Sequence, residues 1–120
     1  MIYEIFEEWY HARHFILPAL ELHHTHTEDD VLVRLATGEY KLWRNDKCAA
    51  VTCFIQYPQF KALEVRWGGG DLQALNELRH AIERWAALKG CKEVVSTGRE
   101  GWGRVLPDYR KCGAIFYREL

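Results

Sequence analysis

Across three consecutive glycines, the apolar period of this chain changes from two to 3.6. Residues 60–67 alternate, with Leu63 and Val65 on one side and Ala62, Glu64 and Arg66 on the other, the pattern of a strand. Beyond Gly68, Gly69 and Gly70 comes Asp71, a good helix N-cap. Leu72, Leu75, Leu78, Ile82, Trp85 and Ala86 then recur at helical spacing until Lys89-Gly90 supplies a stop. A strand that runs into a helix within four residues commits the chain to a fold mixing both. Glycine loses more conformational freedom on folding than any other residue, so three in a row need a reason. Two reasons stay open: backbone amides closing on a phosphate, or a sharp strand-to-helix turn.

The flanking segments supply the rest of the order. Residues 8–22 lean helical, with Trp9, Ala12 and Ile16 on one face and Pro18 breaking or restarting the run, and residues 2–6 read as a possible first strand. Residues 27–37 predict a second helix: Thr27 caps it, Glu28, Asp29 and Asp30 complement its dipole, and Gly38 ends it, with Val31, Leu32 and Leu35 turned inward. Residues 39–44 alternate, Asn45-Asp46 turns, and residues 47–57 form a central strand buried on both faces. With residues 60–67, reached through Pro58-Gln59, these strands make an antiparallel meander. A strand is expected over residues 93–97, a helix over 99–106 with Trp102, Val105 and Leu106 inward and ending near Pro107, and a closing strand over 114–120. The fold class predicted is α+β (mixed α/β), one domain over residues 1–120 with a central, mostly antiparallel sheet of about six strands flanked by helices.

Composition narrows the function classes. The 120 residues suffice for one hydrophobic core, and 48% of them are hydrophobic, which excludes disorder. A formal net charge of −1 argues against a nucleic-acid partner held by phosphate neutralisation. No apolar stretch approaches a membrane span, and Met1-Ile2-Tyr3-Glu4 lacks a signal-peptide pattern, so a cytoplasmic protein is expected. The four cysteines, Cys48, Cys53, Cys91 and Cys112, form no Cys-x-x-Cys pair and read as reduced, partly buried thiols, with Cys48 and Cys53 on opposite faces of one strand.

Arg66-Trp67-Gly68-Gly69-Gly70-Asp71-Leu72, placed between a strand and a helix, resembles the Arg/Gln-x-x-Gly-x-Gly/Ala loop of the GCN5-related N-acetyltransferase (GNAT) family. Tyr109-Arg110-Lys111-Cys112-Gly113-Ala114 is similar to that family's closing Tyr-x-Lys-x-Gly-Phe. Together with Trp85-Ala86 and Gly98-Arg99-Glu100-Gly101-Trp102, these motifs look like those of small GNAT-like proteins of bacteriophages and prophages. The resemblance covers residues 39–120 and reaches the first third through element order. It implies acetyl-CoA as cofactor, its pyrophosphate held by Arg66, Trp67, Gly68, Gly69, Gly70, Asp71 and Leu72, and Tyr109 as general acid. Three residues depart from the pattern. Asp71 sets a carboxylate where the anion would sit, Leu72 replaces a glycine or alanine, and Pro107 interrupts the approach to Tyr109.

Acyl transfer to an amine needs a base for the amine and an acid for the departing thiolate. Glu64, on the strand before the glycines, is the candidate base and Tyr109 the candidate acid. Read without the resemblance, Glu64 is an exposed strand residue and Tyr109 a core aromatic with its hydroxyl at the surface. His23, His24 and His26 lie in a predicted loop without zinc-site spacing; they read as a solvated loop or a lip facing substrate or partner, and no metal is expected. Trp43 and Trp67 flank strand ends and suit either core or an exposed interface patch. Arg99, Arg104, Arg110 and Lys111 read as a solvated basic face. Two functions follow. One is an acetyl-CoA-dependent N-acyltransferase acting on an amine-bearing small molecule or protein. The other is a catalytically inactive GNAT-like phage protein, a virion component or a binder of a host protein, working as a hetero-complex or homo-oligomer in the host cytoplasm or the virion.

Overall fold

The computed structural model describes residues 2–97, 106 and 108–120. The order is α1 (Ile2–His23), α2 (Glu28–Thr37), β1 (Tyr40–Arg44), β2 (Cys48–Gln56), β3 (Lys61–Gly70), α3 (Leu72–Leu88) and β4 (Glu93–Ser96). The strands form one sheet in the order β1-β2-β3-β4, antiparallel except where β4 runs parallel to β3.

Helix α1 overrides two sequence expectations. Residues 2–6 are its first turns and not a strand, and Pro18 lies inside it without ending it. The reason is an apolar stripe, Ile5, Trp9, Ala12, Ile16 and Leu20, spaced three or four apart and packed as one seam. An interior proline costs a helix about 3 kcal/mol, and a buried aliphatic side chain returns about 1.5–3 kcal/mol. Ile16 and Leu20, both buried and on either side of Pro18, therefore carry the helix through.

Helix α2 begins on a capping box. The Asp30 amide donates to the Thr27 hydroxyl at 3.2 Å, and the Thr27 amide donates to the Asp30 carboxylate at 2.8 Å. It ends where Gly38 takes φ 85°, left-handed backbone that suits glycine. The turn between β1 and β2 is closed by the Asn45 side chain, which accepts from the Lys47 and Cys48 amides at 2.8 and 2.9 Å.

The sheet divides two cores. Helices α1 and α2 cover one face, burying Trp9, Ile16, Val31 and Leu35 against Tyr40, Val51, Cys53 and Trp67. Helix α3 covers the other, with Ile82 and Ala86 on Ala50 and Leu63. This is an α+β architecture, but among the described residues the sheet has four strands, not six. Residues 114–120 are exposed and belong to no strand, where a closing strand was expected. The helix expected over 99–106 lies, apart from Leu106, outside the described residues. Among the described residues no helix is long and apolar enough to cross a membrane.

Candidate functional site

Strands β3 and β4 stay together for four positions, from Ala62 opposite Glu93 to Val65 opposite Ser96. Strand β3 then continues through Arg66, Trp67 and the three glycines, whereas β4 stops. They part at a bulge: Thr52 faces Val65 and Val51 faces Trp67, which leaves Arg66 without a position of its own on β2. The space so opened is a cleft of about 350 Å³. Its walls are Gly68 to Gly70, the first turn of α3 at Leu72 and Leu75, Thr97 beyond β4, and the half of α1 from His14 to His23. Pro18 faces this cleft and has no amide to offer the His14 carbonyl one turn back.

The glycines belong to a strand, neither a free loop nor a turn, and two of them answer to sterics. A Cβ on Gly69 would strike the Phe15 carbonyl, because α1 crosses β3 backbone against backbone. A Cβ on Gly70 would fall 2.7 Å from the Cys48 Cα, and Gly70 holds φ 113°, outside what side-chain-bearing residues adopt. The Asp71 amide donates to the Lys47 carbonyl at 2.9 Å. Alternation in an antiparallel ladder then gives the Gly69 and Trp67 carbonyls to β2 and turns the Gly70 and Gly68 amides the other way, into the space β4 has left. Those amides approach the start of α3, where the Asp71 carboxylate accepts from the Ala74 amide at 2.9 Å. The Leu72 and Gln73 amides, the first of the helix, have no intrahelical partner.

Arg66 and Glu64 share the α1 face. The Arg66 guanidinium lies 3.2 Å from Glu64 and packs over the Trp67 and Tyr40 rings, with centroids at 4.9 and 5.5 Å. Its Nε is buried without a hydrogen-bond partner among the described residues. Cys53 lies 3.8 Å from Glu64, and burial raises its thiol, as it does that of Cys48, so neither is an activated nucleophile. His26 completes the cluster: its ring meets Trp67 edge-on at 4.9 Å, and its Nε2 is 3.4 Å from the Tyr40 hydroxyl. Burial, then the charges of Arg66 and Arg34, hold the His26 imidazole below its ordinary range.

Tyr109 lies on the opposite side of the sheet. Its hydroxyl donates to Glu83 of α3 at 2.6 Å, while Arg79 pairs with the same carboxylate at 3.1 Å. Burial, then the bond to Glu83, pushes the phenol far above its ordinary value, so it stays protonated. Beside it lies a small apolar cavity of about 40 Å³ under α3, bordered by Val65, Ile82 and Ser96. The structure thus brings Arg66 and the glycines to one cleft, sets Glu64 beside Arg66, and places Tyr109 across the sheet from Glu64.

The histidines diverge. His23 lines the cleft, His24 meets Tyr117 at 5.3 Å, and the partly buried His26 packs on Trp67. Among the described residues no three His, Cys, Asp or Glu side chains are grouped to hold a metal. Trp67 is buried and forms no surface patch, whereas Trp43 is half-buried and donates to the Thr52 hydroxyl at 3.0 Å. The sequence reading missed the cluster of His26, Tyr40 and Trp67. Its one sequence signal was an odd aromatic after the alternating run, on the wrong face unless a bulge intervenes.

Two crystal structures of the Thermus thermophilus protein TTHA1254 resemble this chain. A point mutant superposes with a TM-score of 0.59 at 19% identity, covering 74% of this chain and 79% of that one. The wild type gives 0.55 at 18% identity, with 74% and 76% covered. The likeness is one of fold. No family model and no curated protein matches the sequence.

Proposed function

We propose that this chain is a small GNAT-like protein that takes acyl-CoA into the cleft between β3 and β4 and transfers the acyl group to an amine. The observation that carries this reading is the parting of two parallel strands at Arg66, beside edge amides of Gly68 and Gly70 that lead to the N-terminus of α3. Crevices at the carboxyl ends of parallel strands are where open sheets take ligands. An amide-containing chain such as pantetheine suits a strand edge, and a pyrophosphate suits free amides at a helix start. On this reading Arg66, Trp67, Gly68, Gly69, Gly70, Asp71 and Leu72 surround the cofactor, with the Leu72 and Gln73 amides left to the anion. Glu64, one contact from the cleft through Arg66, takes the proton as the amine attacks the thioester carbonyl; the C–S bond breaks and the thiolate leaves as the thiol. Tyr109, bound to Glu83 across the sheet from Glu64, would have to leave Glu83 and reach the cleft to supply that proton.

A second reading is favoured by one observation: the Asp71 carboxylate already takes the Ala74 amide and repels an anion there. It makes the chain a catalytically inactive GNAT-like phage protein, a virion component or a binder of a host protein.

The deciding experiment is thermal unfolding with increasing acetyl-CoA, followed by thiol release in the presence of polyamines and lysine peptides. A ligand at one hundred times its Kd adds about 2.7 kcal/mol to stability, several degrees in Tm. A concentration-dependent rise with thiol release supports the acyltransferase. No rise at millimolar acetyl-CoA overturns the cofactor and favours the second reading, and a rise without release overturns acyl transfer to these amines while leaving acetyl-CoA in the cleft.

A further inference from the structure

The sheet has a strand edge without a strand, and the chain has a strand-like segment without a sheet. Strand β4 pairs with β3 alone, so among the described residues its outer side has no backbone partner. The Lys92 amide donates to the Lys61 carbonyl, which fixes the alternation: Val94 turns its backbone toward β3, and Glu93 and Val95 turn theirs outward. The segment 114–120, Ala-Ile-Phe-Tyr-Arg-Glu-Leu, combines branched and aromatic residues in a run that favours strand. Ile115, Phe116 and Tyr117 are nonetheless exposed by 74%, 92% and 73%. Adjacent large apolar side chains this exposed mark an interaction surface, and an open sheet edge is a template for one.

Within its own molecule the segment forms no strand and does not join the sheet, which ends at β4 among the described residues. It leaves Tyr109, which is held on α3 by Glu83, and brings Tyr117 to His24 just beyond α1. Its path therefore passes from the helix layer on one face of the sheet to the layer on the other. We propose that residues 114–120 add as a strand to the outer edge of β4 in a second copy, and that the second copy returns its own segment to the first. Such an exchange is isologous and closes as a symmetric dimer. Main-chain bonds to Glu93 and Val95 supply the pairing, and Ile115 and Tyr117 on one side with Phe116 on the other are covered in turn.

Sedimentation of the full chain from micromolar to sub-millimolar concentration reads the state directly, with hydrogen exchange of residues 114–120 alongside. The expected result is a concentration-dependent dimer in which the amides of this segment become protected. Deleting residues 114–120, or combining I115K with Y117K, gives a folded monomer by circular dichroism. V95P removes an outward amide while leaving the bonds to β3, and it also gives a monomer. A monomer at every concentration overturns the proposal. So does a dimer that survives the deletion, or protection of the segment that is already complete in the monomer.

Discussion

Gly69→Ala would drive a methyl group into the Phe15 carbonyl, and neither the helix nor the strand backbone there can swing aside as a side chain would. A misfit of this kind costs about 1–3 kcal/mol, read as a lower urea midpoint. An unchanged midpoint would show that α1 does not seat on β3 as described. His26 gives a prediction in pH. Unfolded, its imidazole titrates near about 6.5, and in the fold burial followed by Arg66 and Arg34 holds it lower. Below about pH 6.5 the unfolded chain therefore binds the proton more readily, so stability falls as pH drops toward the lowered folded value. His26→Gln flattens that decline below about pH 6.5, measured as unfolding free energy against pH. A decline equally steep in the variant would assign it to another group. The residue types here were legible, but their partners were not. The extra residue at Arg66 turns Trp67 onto the α1 face, and nothing in the alternation of residues 60–67 marks where a bulge falls.

The start of α3 separates two roles that one carboxylate combines. Asp71→Ala loses the bond to the Ala74 amide and costs about 1 kcal/mol, whereas Asp71→Asn keeps an acceptor and most of the stability. Both remove the negative charge. If the cleft takes CoA, both tighten it by up to about fivefold, the equivalent of about 1 kcal/mol of charge at a helix terminus. Denaturation and acetyl-CoA titration on the same two variants read both effects, and affinity unchanged by either would place the ligand away from α3. Helices α2 and α3 stood in the sequence because their caps and apolar faces are local. Helix α1 was misread at both ends of its stripe. Ile5 and Leu20 continued the spacing of Trp9, Ala12 and Ile16, but a proline propensity of local origin gave way to burial against the sheet.

For the whole molecule, the cleft lies within one chain and the proposed pairing lies at the outer edge of β4. The acetyl-CoA shift in Tm is accordingly expected to persist in the monomer lacking residues 114–120, measured at matched protein concentrations. Its loss with the deletion would tie the cleft to the dimer. Local signals in the sequence determined the period change at the glycines, the Thr27 and Asp71 caps, the Asn45 turn, the meander of β1 to β3 and a mixed fold, because each rests on residues only a few positions apart. Tertiary structure alone decided that the three glycines extend β3 and that α1 lies across Gly69. It also decided that β3 and β4 separate at Arg66 and that Glu64 and Tyr109 face opposite layers. Those outcomes depend on which backbones approach one another across the sheet, a contact between distant segments that no local periodicity encodes.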